Sequence, residues 1–241
     1  MKVSVVVPAF NEERLLADSL RSIRSAMEAF AQCGWRSELI VCDNNSTDRT
    51  AEIARAAGAQ VVFEPVNQIS RARNAGARLA SGDWLVFVDA DSTPSRELFC
   101  AVAQEIRGGL TLAGGSTVLY EHAGPAAACG IAGWNLVSRI MKWAAGSFIF
   151  CETAAFREAR GFSEALYASE EIDLFVRLKR IARRRGRRIA ILHRHPLRTS
   201  GRKLQLYTSG EFLGFLAKTI VTRGRTLRSR TDCHAWYDGR R

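Results

Sequence analysis

The sequence predicts an α/β fold in which a mostly parallel central sheet carries helices on both faces. Strand-like and helix-like patterns alternate regularly over about the first ninety residues. The first predicted strand, Val3–Val7, is a valine-rich run typical of a strand buried on both faces. With 241 residues, the chain is long enough for one sizeable α/β domain.

Each element of this alternation has its own signal. Leu16, Leu20 and Ile23 recur at helical spacing, and Asn45 and Ser46 are typical capping residues before the second helix. The first half is predicted to contain strands at 3–7, 38–42, 59–63 and 84–88 and helices at 11–31, 47–57 and 70–80. The second half is predicted to contain helices at 95–107, 130–144, 170–185 and 203–221 and strands at 111–120, 148–151 and 188–192.

Positive charge is concentrated at the end of the chain. Residues 177–241 hold 19 of the 35 lysines and arginines but 3 of the 24 acidic residues. This basic quarter favours an anionic partner, which is a phosphate-bearing ligand, an acidic lipid surface or a nucleic acid. Apolar residues between its arginine clusters are compatible with a peripheral membrane surface, and a solvated basic surface is the alternative.

The cysteines and the N-terminus indicate the compartment. The six cysteines are scattered without a CxxC pair, which favours reduced thiols in a cytoplasmic protein. The apolar run that begins at Val3 ends at Pro8, too early for a signal peptide. We therefore expect a cytoplasmic protein without a transmembrane anchor, with contact to the cytoplasmic face of a membrane as the open alternative.

Polar residues follow the predicted strands, where ligands of parallel sheets bind. Asp89 and Asp91 come directly after a buried strand, and their alternate spacing sends both carboxylates to one side. Two such carboxylates suit Mg²⁺ or Mn²⁺, although a pair of turn acids before a helix has the same pattern. Asp43 ends the second strand, where its carboxylate can accept hydrogen bonds from a base or a ribose.

Four motifs together resemble glycosyltransferases of family 2, of a soluble bacterial type. They are Val5–Glu12, Val41–Asp48, Ala72–Gly76 and Asp89–Asp91. They occur in the family's order over about the first hundred residues, and their combination is highly specific. The resemblance implies a GT-A fold, a nucleoside-diphosphate-sugar donor such as a UDP- or GDP-sugar, a divalent Mn²⁺ or Mg²⁺ and inversion at the anomeric carbon.

The resemblance also implies roles for single residues. Pro8, Phe10 and Glu12 would line the nucleoside pocket, Asp43 would contact the base, and Asn45 stands where the family often has Gly. The nucleotide-binding set implied is Pro8, Phe10, Glu12, Asp43, Asn45, Arg71, Arg73, Asn74 and Asp89. Asp89 would face the ribose and the metal, and the metal ligands implied are Asp91, Asp89 and His195. His193 shares the spacing of His195 at a strand end, and a structural role is the alternative for both histidines.

The acceptor half matches the family less closely. Its matching residues are Phe148–Cys151, Phe156, Gly161, Phe162, Glu170, Glu171, Leu174 and Arg177. In the family a Glu-Asp pair opens a helix and the second acid is the catalytic base, which here implies Glu171. A carboxylate is needed to take the proton of the acceptor hydroxyl, and Asp173 is the rival base. Arg202 and Lys203 resemble a loop that closes over the diphosphate, where their charge would neutralise the leaving group.

We therefore predict a single GT-A domain over 1–241. Its nucleotide-sugar half is 1–94, its half for the unknown hydroxyl acceptor is 95–221, and 222–241 is a basic tail. Nucleotidyl transfer is disfavoured because Asn11-Glu12-Glu13 stands where a Gly-rich phosphate loop is expected. A nucleic-acid partner is not expected, since few aromatic residues lie among the arginines. A degenerate, non-catalytic relative stays open because Glu replaces Asp at the base position.

Overall fold

The computed structural model of the protein describes residues 1–121, 124–202, 222 and 225–233. Its strands are β1 (Lys2–Ala9), β2 (Arg36–Asp43), β3 (Gln60–Phe63), β4 (Trp84–Val88), β5 (Ser92–Thr93), β6 (Thr111–Tyr120), β7 (Phe148–Glu152) and β8 (Arg188–Thr199). Its helices are α1 (Leu16–Ala31), α2 (Thr50–Ala56), α3 (Ile69–Leu79), α4 (Arg96–Arg107), α5 (Pro125–Met141), α6 (Thr153–Glu158) and α7 (Glu170–Arg184). A short 3-10 helix spans Arg225–Arg228.

The strands form one mixed sheet in the order β3-β2-β1-β4-β7-β6-β8-β5. The pairs among β1, β2, β3 and β4 are parallel, as is the pair of β6 with β8. β7 runs antiparallel to both β4 and β6, and β5 runs antiparallel to β8. The mostly parallel sheet predicted from the alternating pattern is therefore confirmed, with β7 as an antiparallel strand in its interior.

This topology collects polar chain ends at one edge of the sheet. The carboxyl ends of β1, β2, β3, β4, β6 and β8 reach that edge, because their pairings are parallel or linked through β7. The amino end of β7 arrives there too, since Phe148 pairs with Val88. The segments that follow or precede these ends therefore meet across a shared opening, as expected for ligands of α/β sheets.

Two apolar layers hold the helices on opposite faces of the sheet. Val5 and Val86 belong to the core on the face that carries α1 and α4. Val6 and Leu85 belong to the core on the face that carries α3, α6 and α7. Neighbouring residues of one strand thus enter different cores, which explains why β1 and β4 are apolar at nearly every position.

The bounds of several elements differ from those predicted. β4 and β6 have the predicted bounds, while α1 begins at Leu16, after a loop in which the backbone N–H of Glu12 is bonded to Thr50 Oγ1 (2.8 Å). β8 continues seven residues beyond Leu192 because it pairs with β6 and β5 up to Thr199. β5 and α6, of 2 and 6 residues, were not predicted. The predicted helix 203–221 lies outside the described residues.

α5 is the longest helix of the described residues, with 17 residues. At a rise of about 1.5 Å per residue it extends about 25 Å, short of the roughly 30 Å hydrocarbon core of a bilayer. Among the helices in the described ranges, none combines the length and the apolar character that a membrane span requires.

Candidate active site

A cleft opens where β1, β2 and β4 end. It encloses about 540 Å³, with the open solvent at its mouth included. Its lining residues are Pro8, Ala9, Phe10, Glu12, Asn44, Asn67, Ile69, Ala72, Asp89, Ala90 and Asp91. Five predicted site residues, Pro8, Phe10, Glu12, Asp89 and Asp91, therefore share one wall, although up to 83 positions separate them in the chain.

The loops after β1 and β2 are bonded to each other by their side chains. Asn11 Oδ1 accepts from the backbone N–H of Thr47 (2.8 Å), and Ser46 Oγ accepts from that of Asn11 (3.0 Å). Thr50 Oγ1 accepts from the N–H of Glu12, and Asp48 Oδ2 accepts from the N–H of Glu13. These four bonds fix the backbone that carries Phe10 and Glu12.

Asn44 ties the loop after β2 to the loop after β3. Its amide nitrogen donates to the carbonyls of Glu64 (3.1 Å) and Val66 (2.6 Å), and its Oδ1 accepts from the N–H of Gln68 (2.9 Å). Asn44 is buried, so these bonds replace the water that its amide would otherwise need. The wall of the cleft is thereby continuous across three loops.

Asp43 and Asn45 shape the turn beside Asn44. Asp43 is buried behind the lining residues, and its Oδ1 accepts from the N–H of Ser46 (3.0 Å). Asn45 has a φ of 65°, the left-handed conformation that Asn tolerates better than most residues. Its side chain is exposed outside the cleft lining. Both residues therefore hold the loop, and contact with a base stays a prediction for Asp43.

Arg73 lies at the centre of the site, and it joins the donor cleft to the opposite wall. Its side chain is 3% exposed, and its guanidinium donates to Asp89 Oδ1 (2.9 Å), Glu170 Oε1 (2.7 Å) and the carbonyl of Gly146 (2.8 Å). The two neighbouring acids raise its pKa against the effect of burial. Phe162 packs under the guanidinium, 5.2 Å from its ring centre. Arg73 is thus a buried link, whereas the sequence predicted a nucleotide contact.

Glu171 lies close to Gly146 and Arg73. A Cβ at Gly146 would lie 3.3 Å from Arg73 Nη2 and 3.6 Å from Glu171 Cδ, so both side chains lie against this glycine. Burial and the charges of Glu170 and Asp89 raise the pKa of Glu171 to about 8, against the opposing charge of Arg73. A carboxyl with a pKa near neutrality is suited to proton transfer.

The first turn of α7 holds three acids with different surroundings. Glu170 is buried against Arg73, and Glu171 is half-buried beside it. Asp173 is 41% exposed and pairs with Arg177, whose Nε lies 3.1 Å from Asp173 Oδ2. Ser169 precedes the helix with a φ of 61°, and not with the extended backbone typical of an N-cap.

A second cavity receives Asp173 and Asn74. Its lining residues are Asn74, Ala159, Arg160, Phe162, Ser163, Glu164, Asp173 and Arg177. Asn74 is bonded in both directions to the backbone of Phe162, each time at 2.9 Å. The structure therefore places Asp173 and Asn74 at this second cavity and not on the Asp89–Asp91 wall, which corrects the expected nucleotide contact of Asn74, while Asp173 as the rival base stays a prediction. Asn74 holds the segment before α7, because its short amide reaches that backbone directly.

Asp89 and Asp91 place carboxylate oxygens on the cleft wall. Carboxylates at this spacing fit a hard divalent ion such as Mn²⁺ or Mg²⁺, which takes further ligands from a diphosphate. Arg202 Nη2 lies 4.0 Å from Asp91 Oδ2, so a positive charge already stands beside this carboxylate. In the described part of the chain, no group of three or more His, Cys, Asp or Glu side chains is arranged to hold a metal ion. The residues present therefore fit a metal shared with a bound diphosphate.

His193 and His195 are not part of this pair. Both are exposed on β8, in the segment between Leu192 and Leu197 where the register with β6 shifts. The residue of β8 that contacts Asp91 is Thr199, whose Oγ1 lies 3.5 Å from Asp91 Oδ1. The expectation that His195 ligates the metal is corrected, because the longer β8 carries the chain four residues further before it reaches Asp91.

Arg202 reaches the cleft from beyond β8. Its Nη2 lies 2.9 Å and 3.1 Å from the two carboxylate oxygens of Glu12. Gly201 permits this approach, because a Cβ there would collide with the carbonyl of Glu121. Arg202 thus lies at the predicted diphosphate side, while Lys203 lies outside the described residues. Arg71 pairs with Glu164 (3.2 Å) and is not among the residues that line the cleft.

Sequence reasoning missed Tyr120 and Gly146 at this site, and it named Glu170 only as the first acid of the pair that opens a helix. The charges of Asp91, Asp89 and Glu171 add to burial in raising the pKa of Tyr120 to about 12, so its hydroxyl lies within electrostatic reach of all three. Gly146 and Glu170 complete the surroundings of Arg73. Arg73, Gly76 and Ala77 of α3 and Ala80 directly after it are buried at helical spacing, which was the available signal for a buried arginine.

A model of one protein family, described as Glycosyl transferase family 2, matches residues 4–128, about half of the chain. The chain belongs to this family. An uncharacterized glycosyltransferase of Mycobacterium tuberculosis is 41% identical over 91 residues, which cover 38% of this chain and 37% of that relative. The aligned segment is thus little more than a third of that relative's length.

Solved structures of two other proteins share the fold. The S. aureus protein TarS 1-349 in complex with UDP-GlcNAc has a TM-score of 0.64 at 19% identity, over 98% of this chain and 69% of that chain. The mannosyltransferase PcManGT of Pyrobaculum calidifontis, in complex with GDP-Man and Mn²⁺, has a TM-score of 0.62 at 19% identity, over 81% of this chain and 56% of that chain. These similarities confirm the predicted GT-A fold.

Proposed function

We propose that the protein transfers a sugar from a UDP- or GDP-sugar to an acceptor hydroxyl, with inversion at the anomeric carbon. The observation that carries the proposal is the position of Arg73. Its guanidinium binds Asp89 on the donor cleft and Glu170 on the opposite wall, next to Glu171. A fixed distance between a donor cleft and a base is what a direct displacement requires.

The donor would bind in the cleft at the strand ends. Pro8 and Phe10 offer apolar contact to a nucleoside, and Asp89 and Asp91 would hold Mn²⁺ or Mg²⁺ with the diphosphate. Such an ion, when bound, stabilises the negative charge of the departing diphosphate. The ligands of the two solved neighbours support this donor class, since one is in complex with UDP-GlcNAc and the other with GDP-Man and Mn²⁺.

Glu171 is the proposed base of the transfer. Its carboxylate takes the proton of the acceptor hydroxyl as that oxygen forms a bond to the anomeric carbon. The bond from the anomeric carbon to the phosphate oxygen breaks at the same time, and the nucleoside diphosphate leaves with the electron pair. The raised pKa of Glu171 strengthens it as a base once it is ionised.

Arg202 is the proposed counter-charge for the leaving group. It now binds Glu12 and approaches Asp91, so its guanidinium is already at the wall that a diphosphate would contact. A guanidinium can bind phosphate oxygens in two parallel hydrogen bonds. When a donor enters, such bonds would replace those that Arg202 makes to the carboxylate of Glu12.

The proposal is tested by calorimetric titration with UDP and with GDP, each with and without Mn²⁺. We expect one nucleotide to bind, with an affinity that rises at least tenfold with Mn²⁺, and Asp91→Asn to abolish the gain. Asp83→Asn is the matched control, because Asp83 precedes β4 at its opposite end and accepts from the N–H of Lys2. Absence of binding by both nucleotides, or a gain that survives Asp91→Asn, contradicts the proposal.

A further inference from the structure

α5 presents an apolar face to solvent. Leu136 is 56% exposed, Val137 42%, Ile140 68% and Met141 44%. The pairs 136/140 and 137/141 are four residues apart, so the four side chains cover adjoining parts of one helix surface. Ala132 and Gly133 extend the surface by one turn, and they are exposed as well. Large apolar side chains grouped in this way mark an interaction surface.

The opposite side of α5 is anchored, which fixes the direction of this face. The amide of Asn135 donates to the carbonyl of Val118 (2.9 Å) and accepts from its N–H (3.0 Å). Ser138 is buried, and Ile131 and Trp134 pack against the core. The helix therefore cannot turn its apolar face inward without breaking both bonds to β6.

The surroundings of the face are cationic. Residues 122–151 contain no Asp or Glu, and the charged side chains in this stretch are the exposed Arg139 and Lys142. Lys179 of α7 adds a third cation, since its Nζ donates to the carbonyl of Met141 and lies 5.3 Å from the ring centre of Trp143. An apolar helix face edged by Lys and Arg is complementary to an anionic lipid surface.

α5 is also next to the proposed site of transfer. It is inserted between β6, which ends at Tyr120, and the segment with Gly146 that contacts Arg73 and Glu171. A surface docked on α5 would therefore lie beside the acceptor side of the cleft. With about 25 Å of length, α5 is suited to lie in a membrane interface and not to cross it.

We infer that α5 docks the protein on an anionic membrane and that the acceptor hydroxyl belongs to an amphiphile held in that interface. This inference rests on the proposed glycosyl transfer, and it names the class of acceptor. The apolar face enters the boundary between head groups and acyl chains, while Arg139, Lys142 and Lys179 face the anionic head groups. The acceptor then reaches Glu171 along the membrane surface.

Flotation of the whole protein with vesicles of phosphatidylcholine and phosphatidylglycerol tests the docking. At low salt we expect the wild type to float with anionic vesicles and to bind at least tenfold more weakly to pure phosphatidylcholine. The double variant Leu136→Glu/Ile140→Glu should lose at least tenfold in binding to anionic vesicles. Leu110→Glu is the control for an added carboxylate, because Leu110 is 59% exposed on the turn before β6 and the exchange adds one negative charge away from α5.

Three outcomes overturn the inference. The first is a wild type that stays unbound to anionic vesicles at low salt, and the second is equal flotation of the double variant and the control. The third is a double variant that changes the oligomeric state in light scattering while vesicle binding is unchanged, since a second copy of the chain then covers α5. Thermal melts of both variants should coincide with the wild type, because all three substituted positions are exposed.

Nucleotide titration separates a failure of the docking from a failure of the proposed function. The double variant should bind UDP or GDP with Mn²⁺ as the wild type does, because α5 contributes no side chain to the donor cleft. Lost flotation with intact nucleotide binding therefore supports the docking itself. Intact flotation without nucleotide binding by the wild type would contradict the proposed transfer and leave the membrane contact standing.

Discussion

The donor wall and the acceptor wall of the cleft are held by different kinds of interaction. The donor wall consists of consecutive loops whose polar side chains, such as Asn11 and Asn44, bond to neighbouring backbone. The acceptor wall includes a buried ionic link, in which Arg73 reaches Glu170 across 97 positions of the chain, beside the bonds of Asn74 to Phe162. The donor wall is thus held by several hydrogen bonds between loops 24 to 38 positions apart, whereas the acceptor wall is joined to it by a buried ionic link over 97 positions.

This difference has a consequence for how each wall fails when it is altered. Loss of one loop bond leaves the others in place, since each contributes about 1 kcal/mol to stability. Loss of Arg73 leaves the buried carboxylate of Glu170 without its cation and removes the link between the walls. The acceptor wall is therefore the more sensitive of the two, and substitutions there separate catalysis from donor binding.

The largest effect is expected for the base itself. Glu171→Gln should lower turnover by about a thousandfold, because an amide cannot accept the hydroxyl proton. Steady-state transfer assays with the nucleotide found by titration would measure this, and donor affinity should stay within about twofold. Asp173→Asn should change turnover less than about twofold, since Asp173 pairs with Arg177 at the second cavity. A larger loss for Asp173→Asn would make Asp173 the base.

The next effect concerns the link between the walls. Arg73→Met should lower the free energy of unfolding by about 3 kcal/mol, because Glu170 is left buried without its cation. Urea denaturation measures the change. Arg78→Met on the same helix should cost less than about 0.5 kcal/mol, because Arg78 is 63% exposed and lies 3.7 Å from Glu64. Equal losses for the two variants would show that Arg73 has no special structural role.

The pH dependence of turnover sharpens the assignment of Glu171. With its pKa at about 8, the ionised base becomes more abundant as pH rises, so kcat/KM should increase about tenfold from pH 7 to pH 9. The raised pKa of Glu171 has the opposite effect on the stability of the fold, which decreases as pH rises. The folded protein holds this proton more tightly than the unfolded chain, so the contribution of Glu171 to stability falls as pH rises from about 4.5 to 8.

The comparison with Glu171→Gln isolates that contribution. The variant should show a flatter dependence of unfolding free energy on pH over the same range, measured by urea denaturation at several pH values. A wild-type rate that is level between pH 7 and pH 9 would contradict the raised pKa in the working enzyme.

The smallest effect is expected at Arg202. Removal of its guanidinium by Arg202→Ala should tighten the binding of Mn²⁺ alone by about threefold, because the cation 4.0 Å from Asp91 no longer opposes the metal. Titration with MnCl₂ in the absence of nucleotide measures this. Weaker Mn²⁺ binding by the variant would show that Arg202 organises the acidic residues and does not oppose the metal.

The fold was largely predictable because its signals are local. Buried strands such as β4 are apolar at every position, and helices such as α7 have a clear apolar stripe. The direction of β7 and the length of β8 were not predictable, because pairing with distant strands decides them. Single-strand periodicity contains no information about which neighbour a strand will have.

The candidate site was predictable in part. The cleft residues Phe10, Glu12 and Asp91 follow strands directly, so the rule for strand ends located them. Asn74 was assigned to a nucleotide, yet its partner is the backbone of Phe162, 88 positions away. His195 was assigned to the metal from its spacing at a predicted strand end and from the loop that follows, whereas β8 continues to Thr199. In both cases a long-range contact decided where the side chain lies.

Cys129 lies on α5 and provides a thiol that can be labelled at this surface. Burial, aided by nearby acids, raises the pKa of Cys42 to about 12 and that of Cys233 to about 11, which suppresses the reactive thiolate at both positions. Cys129 is exposed among the small residues of α5. A maleimide dye sensitive to polarity should therefore label Cys129 faster than the buried thiols. The natural sequence thus carries its own optical reporter of the medium that surrounds α5.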